Sequence, residues 1–173
     1  NQINNLKIDV PLLVLRVFYH YKIDKKESAL NMLNNYILNI SDEKLKTKIY
    51  FLSLKFEISD YNLSNHIISS FEKDVKKYEK KIYGEKDSEN SSPELMSKAS
   101  FNLGKAFYRK GEFSKSIFWL NKNYKINKEI QHYVKLIPTL ELLKNSYEKM
   151  NLGKESQYYQ NLKKFYVNFL KSL

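Results

Sequence analysis

The sequence predicts an all-α chain of stacked helix hairpins, and three observations carry that prediction. A Leu, an aromatic four residues later and a Ser nine residues beyond recur as Leu15–Tyr19–Ser28, Leu103–Phe107–Ser116 and Leu143–Tyr147–Ser156, with Leu52–Phe56–Asn65 a fourth that carries Asn in the Ser place. Leu and aromatic at i, i+4 lie one above the other on one helix face, and the small residue falls past a turn, near the start of a second helix. The 173 residues include only 4 Gly and 3 Pro, few breakers, which favours long helices. Period-two alternation is not sustained anywhere, so no sheet is expected. A repeated helix–turn–helix unit cannot bury its apolar face alone and must stack on its neighbours.

Pro11 suits the first turn of an opening helix expected to reach Lys22, with Leu12, Leu15, Val17, Phe18 and Tyr19 supplying apolar surface. Asp24 falls in a turn, and a second helix over Lys26–Ile40 sets Ala29, Leu30, Met32, Leu33, Tyr36 and Ile37 at helical spacing. Ser41 reads as the cap of a third helix, Asp42–Ile58, with Asp42 and Glu43 in its first turn and Leu45, Ile49, Leu52 and Phe56 on one stripe. Residues 59–62 turn the chain into a helix from Leu63 to Tyr83 that ends on Gly84. Its second half alternates charge, with Glu72 four residues before Lys76, as a solvated, ion-paired face does.

The polar stretch 85–92 carries no large apolar side chain and reads as a linker between 1–84 and 93–173. Ser92 and Pro93 then reopen a helix as N-cap and first helical residue. Ala99–Lys110 form a helix, Gly111 and Glu112 the turn, and Phe113–Ile126 its partner. A long helical stretch from Lys128 to Met150 follows, which Pro138 either kinks or restarts. Asn151, Leu152 and Gly153 turn the chain into a last helix ending near Leu170, in which Tyr158, Tyr159, Leu162, Phe165, Tyr166, Phe169 and Leu170 leave little polar circumference.

The run Ser100-x2-Leu103-Gly104-x2-Phe107, then Gly111-x-Phe113-x2-Ser116-x3-Leu120, resembles a tetratricopeptide repeat (TPR). The family pattern is Trp-x2-Leu-Gly-x2-Tyr, then Ala-x3-Phe, then Pro, over ~34 residues. The resemblance places Gly104 at a close helix crossing and Ser116 where the family has a small Ala. The segment Thr139–Lys164 is a looser copy, with Lys144 in the Gly place and a spacing of 143 − 103 = 40, and the hairpins before Tyr83 share only the skeleton. Lys128 and Asn168 stand where the closing Pro belongs. What the resemblance implies is a right-handed array of about four antiparallel hairpins, a TPR-like α-solenoid with a C-terminal capping helix. First helices of such an array line a concave groove that binds peptides or helices of other proteins. In this chain the groove would receive Lys98, Phe101, Asn102, Lys105, Tyr108 and Arg109, and from the last repeat Glu141, Asn145, Glu148 and Lys149. Some family members clamp a peptide's terminal carboxylate with Lys, Asn and Arg. Lys98, Asn102, Lys105, Arg109 and Asn145 have that chemistry, interrupted by Phe101 and Glu141.

A formal charge of +11 favours an acidic partner, whether protein, nucleic acid or anionic membrane surface. Codon bias of an AT-rich, bacterial genome accounts for the same excess of Lys, with Arg16 and Arg109 the only arginines. Charge is uneven, however: between Lys98 and Lys128 eight cations face one acid, Glu112, so that 8 − 1 = +7 sits in one hairpin. A nucleic-acid-binding alternative would use that hairpin, with Trp119, Phe118, Tyr108 and Tyr124 stacking on bases, although such aromatics serve equally as interhelical packing. The absence of Cys excludes disulfides, Cys-ligated zinc and a thiol nucleophile. His20, His66 and His132 lie in different hairpins, so no metal site is expected. No phosphate loop, nucleophile elbow or paired catalytic carboxylate stands out, so neither catalytic residues nor a cofactor are expected. No apolar run approaches the ~20 residues of a membrane span, which leaves peripheral membrane association open. The chain opens on Asn1 rather than Met and reads as a fragment or processed form. The expected function is therefore a non-enzymatic adaptor that holds a partner protein through the groove or the apolar last helix, by analogy with bacterial assembly or envelope complexes.

Overall fold

The computed structural model describes residues 10–41, 44–84 and 92–173. Among the described residues there are eight helices and no strand: α1 (Val10–Lys22), α2 (Lys26–Leu38), α3 (Leu45–Ile58), α4 (Asn65–Gly84), α5 (Pro93–Arg109), α6 (Phe113–Glu129), α7 (Tyr133–Lys149) and α8 (Gly153–Lys171). They belong to two compact units, Asn1–Asp60 and Tyr61–Leu173. The expected linker lies, apart from Ser92, outside the described residues.

In the first unit, Val17 of α1, Ala29 and Leu33 of α2, and Phe51, Leu54 and Ile58 of α3 form one buried cluster. Val10, Leu13 and Val14 complete the inner face of α1. Tyr36 meets Phe51 edge to face at 4.6 Å, a geometry the aromatic quadrupole favours. The skeleton Leu15–Tyr19–Ser28 is not the packing frame here, because Leu15 and Tyr19 are 66% and 63% exposed. The physical reason is a one-residue slip. Leu103 and Leu143 stand eight residues before the left-handed turn residues Gly111 and Asn151, whereas Leu15 stands nine before Asp24, which rotates it off the inner face. The stripe Leu45–Ile49–Leu52–Phe56 of α3 is buried as expected. Its cap is not Ser41: the helix starts at Leu45, after Lys44, with no side-chain cap.

The turns α1–α2, α5–α6, α6–α7 and α7–α8 are the same structure. Each has one left-handed residue, Asp24, Gly111, Gln131 or Asn151, with φ between 58° and 75°. The next residue's N–H donates five residues back, as in Glu112 to the Phe107 carbonyl (3.0 Å) and His132 to the Asn127 carbonyl (2.8 Å). These bonds satisfy carbonyls that a helix end would leave orphaned. Only Gly111 adopts the left-handed conformation without a Cβ penalty. The Gln131 turn corrects the expected stretch from Lys128 to Met150. The chain reverses seven residues before Pro138, and α7 continues through that proline. A left-handed Gln carries no compositional signal, and the proline drew attention to the wrong place.

The second unit has an internal register of twenty residues. On α5 the positions Met96, Ala99, Ser100, Leu103 and Ala106 are buried. Adding twenty gives Ser116, Trp119, Leu120, Asn123 and Ile126 of α6, all buried. Adding twenty again gives Leu136, Thr139, Leu140, Leu143 and Ser146 of α7, all buried. On α8 only Ser156 and Tyr166 of that set remain buried, as befits a helix with neighbours on fewer sides. Helices of equal length joined by equal turns must repeat their contact faces in this way, because each turn resets the helical phase identically.

At the crossing of α5 and α6, a Cβ on Gly104 would lie 2.6 Å from Cγ of the fully buried Leu120. The Ser116 hydroxyl donates to the Gly104 carbonyl at 2.8 Å. Both residues do what the sequence assigned to them. Ser92 likewise caps α5, accepting from the Leu95 N–H at 3.3 Å ahead of Pro93. Side chains of α6 meet α4 on one flank and α8 on the other, while α5 contacts α7. The unit is thus two-layered, with α4, α6 and α8 against α5 and α7.

Candidate functional site

The residues proposed for a groove lie on α5 and α7, and packing treats them unequally. Phe101 joins the cluster built on Leu120, Leu136, Leu140 and Leu143, so it is a core side chain. Asn102 is buried, and its Oδ1 accepts from the Tyr61 hydroxyl at 3.1 Å. Lys105 lays its ammonium over the Tyr61 ring, 4.1 Å from the centroid. Tyr108 meets Phe113 edge to face at 5.6 Å. Lys98 is half-buried, whereas Arg109 is exposed in the last turn of α5, where the helix dipole favours a cation. On α7, Asn145 Oδ1 lies 3.4 Å from Lys144 Nζ, and Lys149 is exposed.

Arg109 and Lys149 hold the same place one hairpin apart, 149 − 109 = 40 residues, each in the last turn of its helix. Of the three groove cations expected on α5, Lys98, Lys105 and Arg109, the middle one is folded onto Tyr61. The exposed cations of these helices include Arg109, Lys110, Lys125, Lys128 and Lys149.

The +7 hairpin is also partly neutralised by tertiary structure. Lys122 binds Glu79 of α4, with Nζ 2.6 Å from Oε1. Glu72 accepts from the Trp119 indole at 3.2 Å and from Lys76 at 2.8 Å. The ion-paired face expected on α4 forms its Glu72–Lys76 pair, and its Glu79 is in addition the counter-charge of Lys122 on α6. The contacts from α4 to α6 join residues 43 to 47 apart in sequence, which is why no local pattern announced them. Lys115 pairs with Glu112 at 2.6 Å, and that bond raises its pKa first of all. Trp119 is fully buried, so it is packing and not a base-stacking platform.

A buried polar network, which no local pattern announces, runs through α5, α6 and α7. Asn123 Nδ2 donates to the Ser97 carbonyl at 2.7 Å, while its Oδ1 accepts from Asn127 at 3.0 Å and from Thr139 at 2.6 Å. Ser97 in turn donates to Asn127 Oδ1 at 2.9 Å. With every member paired, the network fixes the register of three helices and leaves no group to act on a ligand.

Between α6, α7 and α8 lies a tyrosine cluster. Tyr147 and Tyr159 stack at 5.3 Å, and the Tyr159 hydroxyl donates to Asn121 at 2.9 Å. Burial first, then the neighbouring Tyr147, pushes the Tyr159 phenol up to about 12. Burial and the Tyr166 hydroxyl raise Tyr124 as well. An open recess of about 470 Å³ beside the last turn is lined by Lys144, Glu148, Asn151, Gly153, Ser156, Gln157 and Gln160. Lys144 and Glu148 pair within it at 3.1 Å, which neutralises its charge. Among the described residues no group of His, Asp and Glu is placed to hold a metal ion.

Comparison with protein-family models, with curated proteins and with solved structures gave no match.

Proposed function

We propose that residues 61–173 are a TPR-like helical-repeat module, stacking as a right-handed solenoid, and that the protein is a non-enzymatic adaptor for an acidic, helical segment of a partner protein. The observation that carries the reading is the twenty-residue register of buried positions on α5, α6 and α7. A repeated inner face implies a repeated outer face, and repeated outer faces on parallel helices make an extended, ligand-sized surface. Arg109 and Lys149 mark equivalent points along it, each in the last turn of its helix, where a cation can meet a carboxylate of an acidic ligand. The nucleic-acid reading is less well supported, since Trp119 is buried and Lys115 and Lys122 are ion-paired.

The test uses the full chain with three fluorescent probes: an acidic amphipathic helical peptide, the same peptide with Glu changed to Gln, and single-stranded RNA. The acidic peptide should bind best. Arg109→Glu combined with Lys149→Glu should weaken it by about tenfold while melting is unchanged, because exposed charges add little to stability. Tighter binding of RNA, or indifference of the peptide to the double reversal, would remove this reading.

A further inference from the structure

Helix α1 of the first unit is apolar on two sides. Its inner face, Val10, Leu13, Val14 and Val17, packs into the core of that unit. Leu15 and Tyr19, both close to two-thirds exposed, lie on the opposite side with Leu12, and Phe18 and Ile23 extend the patch. A helix that is hydrophobic all round is ordinarily covered all round. The charged groups on this outer half are Arg16 and Lys22, both cations, and the exposed Lys25 and Lys26 follow directly. Asp24 and Glu27 are the acids close by.

We propose that the outer face of α1 lies in the plane of an anionic lipid surface. Shape and charge together favour that occupant. The patch is the convex side of a single helix with Arg16 and Lys22 beside it, the form in which an interfacial helix meets an anionic bilayer. Two copies meeting through it would set Arg16 and Lys22 against the same cations. At a bilayer, Leu15 and Phe18 reach the acyl boundary, Tyr19 holds its phenol among the headgroups, and Arg16 and Lys22 snorkel to lipid phosphates. The contact is superficial: among the described residues no helix is long and apolar enough to cross a membrane. Nothing in it requires a protein partner, so it stands apart from the adaptor reading.

The experiment is co-sedimentation of the full chain with vesicles of phosphatidylcholine alone and of phosphatidylcholine mixed equally with phosphatidylglycerol. The chain should pellet with the anionic vesicles and much less with the neutral ones, and added salt should release it. Leu15→Glu with Tyr19→Glu should reduce binding by at least about tenfold. Arg16→Gln with Lys22→Gln keeps the apolar face and should cost about fivefold for each charge removed. Circular dichroism melting of each variant shows that the fold persists, and the second pair carries the test if the first does not fold. Absence of sedimentation with anionic vesicles overturns the proposal, as does binding that neither pair changes. Self-association without lipid that Leu15→Glu abolishes also overturns it, by assigning the face to a second copy.

Discussion

In the hairpin α1–α2, Ala29 stands five residues past the left-handed Asp24; in α5–α6, Ser116 stands five residues past the left-handed Gly111. Both small residues are fully buried beneath the same turn. Behind it the hairpins diverge. The first closes on apolar side chains, Val17 meeting Ala29 and Leu33 in one cluster. The second closes through Gly104, with Leu120 pressed into the missing Cβ and the Ser116 hydroxyl on the Gly104 carbonyl. It then threads Ser97, Asn123 and Asn127 through its interior. Turn geometry is thus local and common to both, whereas approach distance and register come from what stands at the crossing. Apolar contacts tolerate sliding, and a satisfied polar network does not.

The sharpest way to break the difference is Gly104→Leu. With Leu120 buried on all sides there is no room to give, and the loss should be about 3 kcal/mol by thermal or urea unfolding. Leu15→Ala in α1 should change stability by less than about 0.5 kcal/mol, since its side chain is mostly in water. Equal losses for the two variants would mean that α5 and α6 repack freely.

Next in size is Asn123→Ala. It strands buried hydrogen-bonding groups on Ser97, Asn127 and Thr139 and should cost about 2 kcal/mol. Because Asn123 lies on the α6 face shared by both neighbours, hydrogen exchange should rise in α5 and α7 alike. A rise confined to α6 would show that the network does not join the three helices.

Alkaline pH separates the two units differently. Tyr159 and Tyr124 have folded-state pKa values raised above the unfolded value of about 10. Below that value both states keep the phenol protonated and the stability contribution is fully present. Between about 10 and about 12 the unfolded chain releases the proton first, so stability falls as pH rises through that window. Tyr159→Phe should flatten the fall, read from melting at a series of pH values alongside tyrosinate absorbance. An unchanged slope would place the titration elsewhere.

The smallest effects belong to the shared turn. Gly111→Ala should destabilise by about 1 kcal/mol through its positive φ, and Gln131→Gly should stabilise by a few tenths of a kcal/mol by relieving the same conformation. Opposite signs in matched melting curves would establish that the turns are equivalent; like signs would separate them.

The helical class, the Ser92 cap, the Gly104–Ser116 crossing and the packing of Leu103, Phe107 and Leu143 were legible from the residues, because each depends on neighbours within about twenty positions of the chain. The outward turn of Leu15 was not, since a one-residue change in distance to Asp24 rotates a side chain by about 100° without altering the local pattern. Nor was the Gln131 break, for Gln adopts the left-handed conformation only when the packing on both sides demands it. Of the candidate site, the cationic types at positions 98, 105, 109 and 149 were visible. Their fates were not.

From residue order alone came the elements and the small residues that let helices meet, because propensity, capping and side-chain size act over a few bonds. Only the tertiary structure decided which charges remain outward, folding Lys105 onto Tyr61, pairing Lys122 with Glu79 and tying Glu72 to Trp119. Those contacts span more than forty residues, and a charge is neutralised by whatever lies nearest in space, which the order of residues does not state.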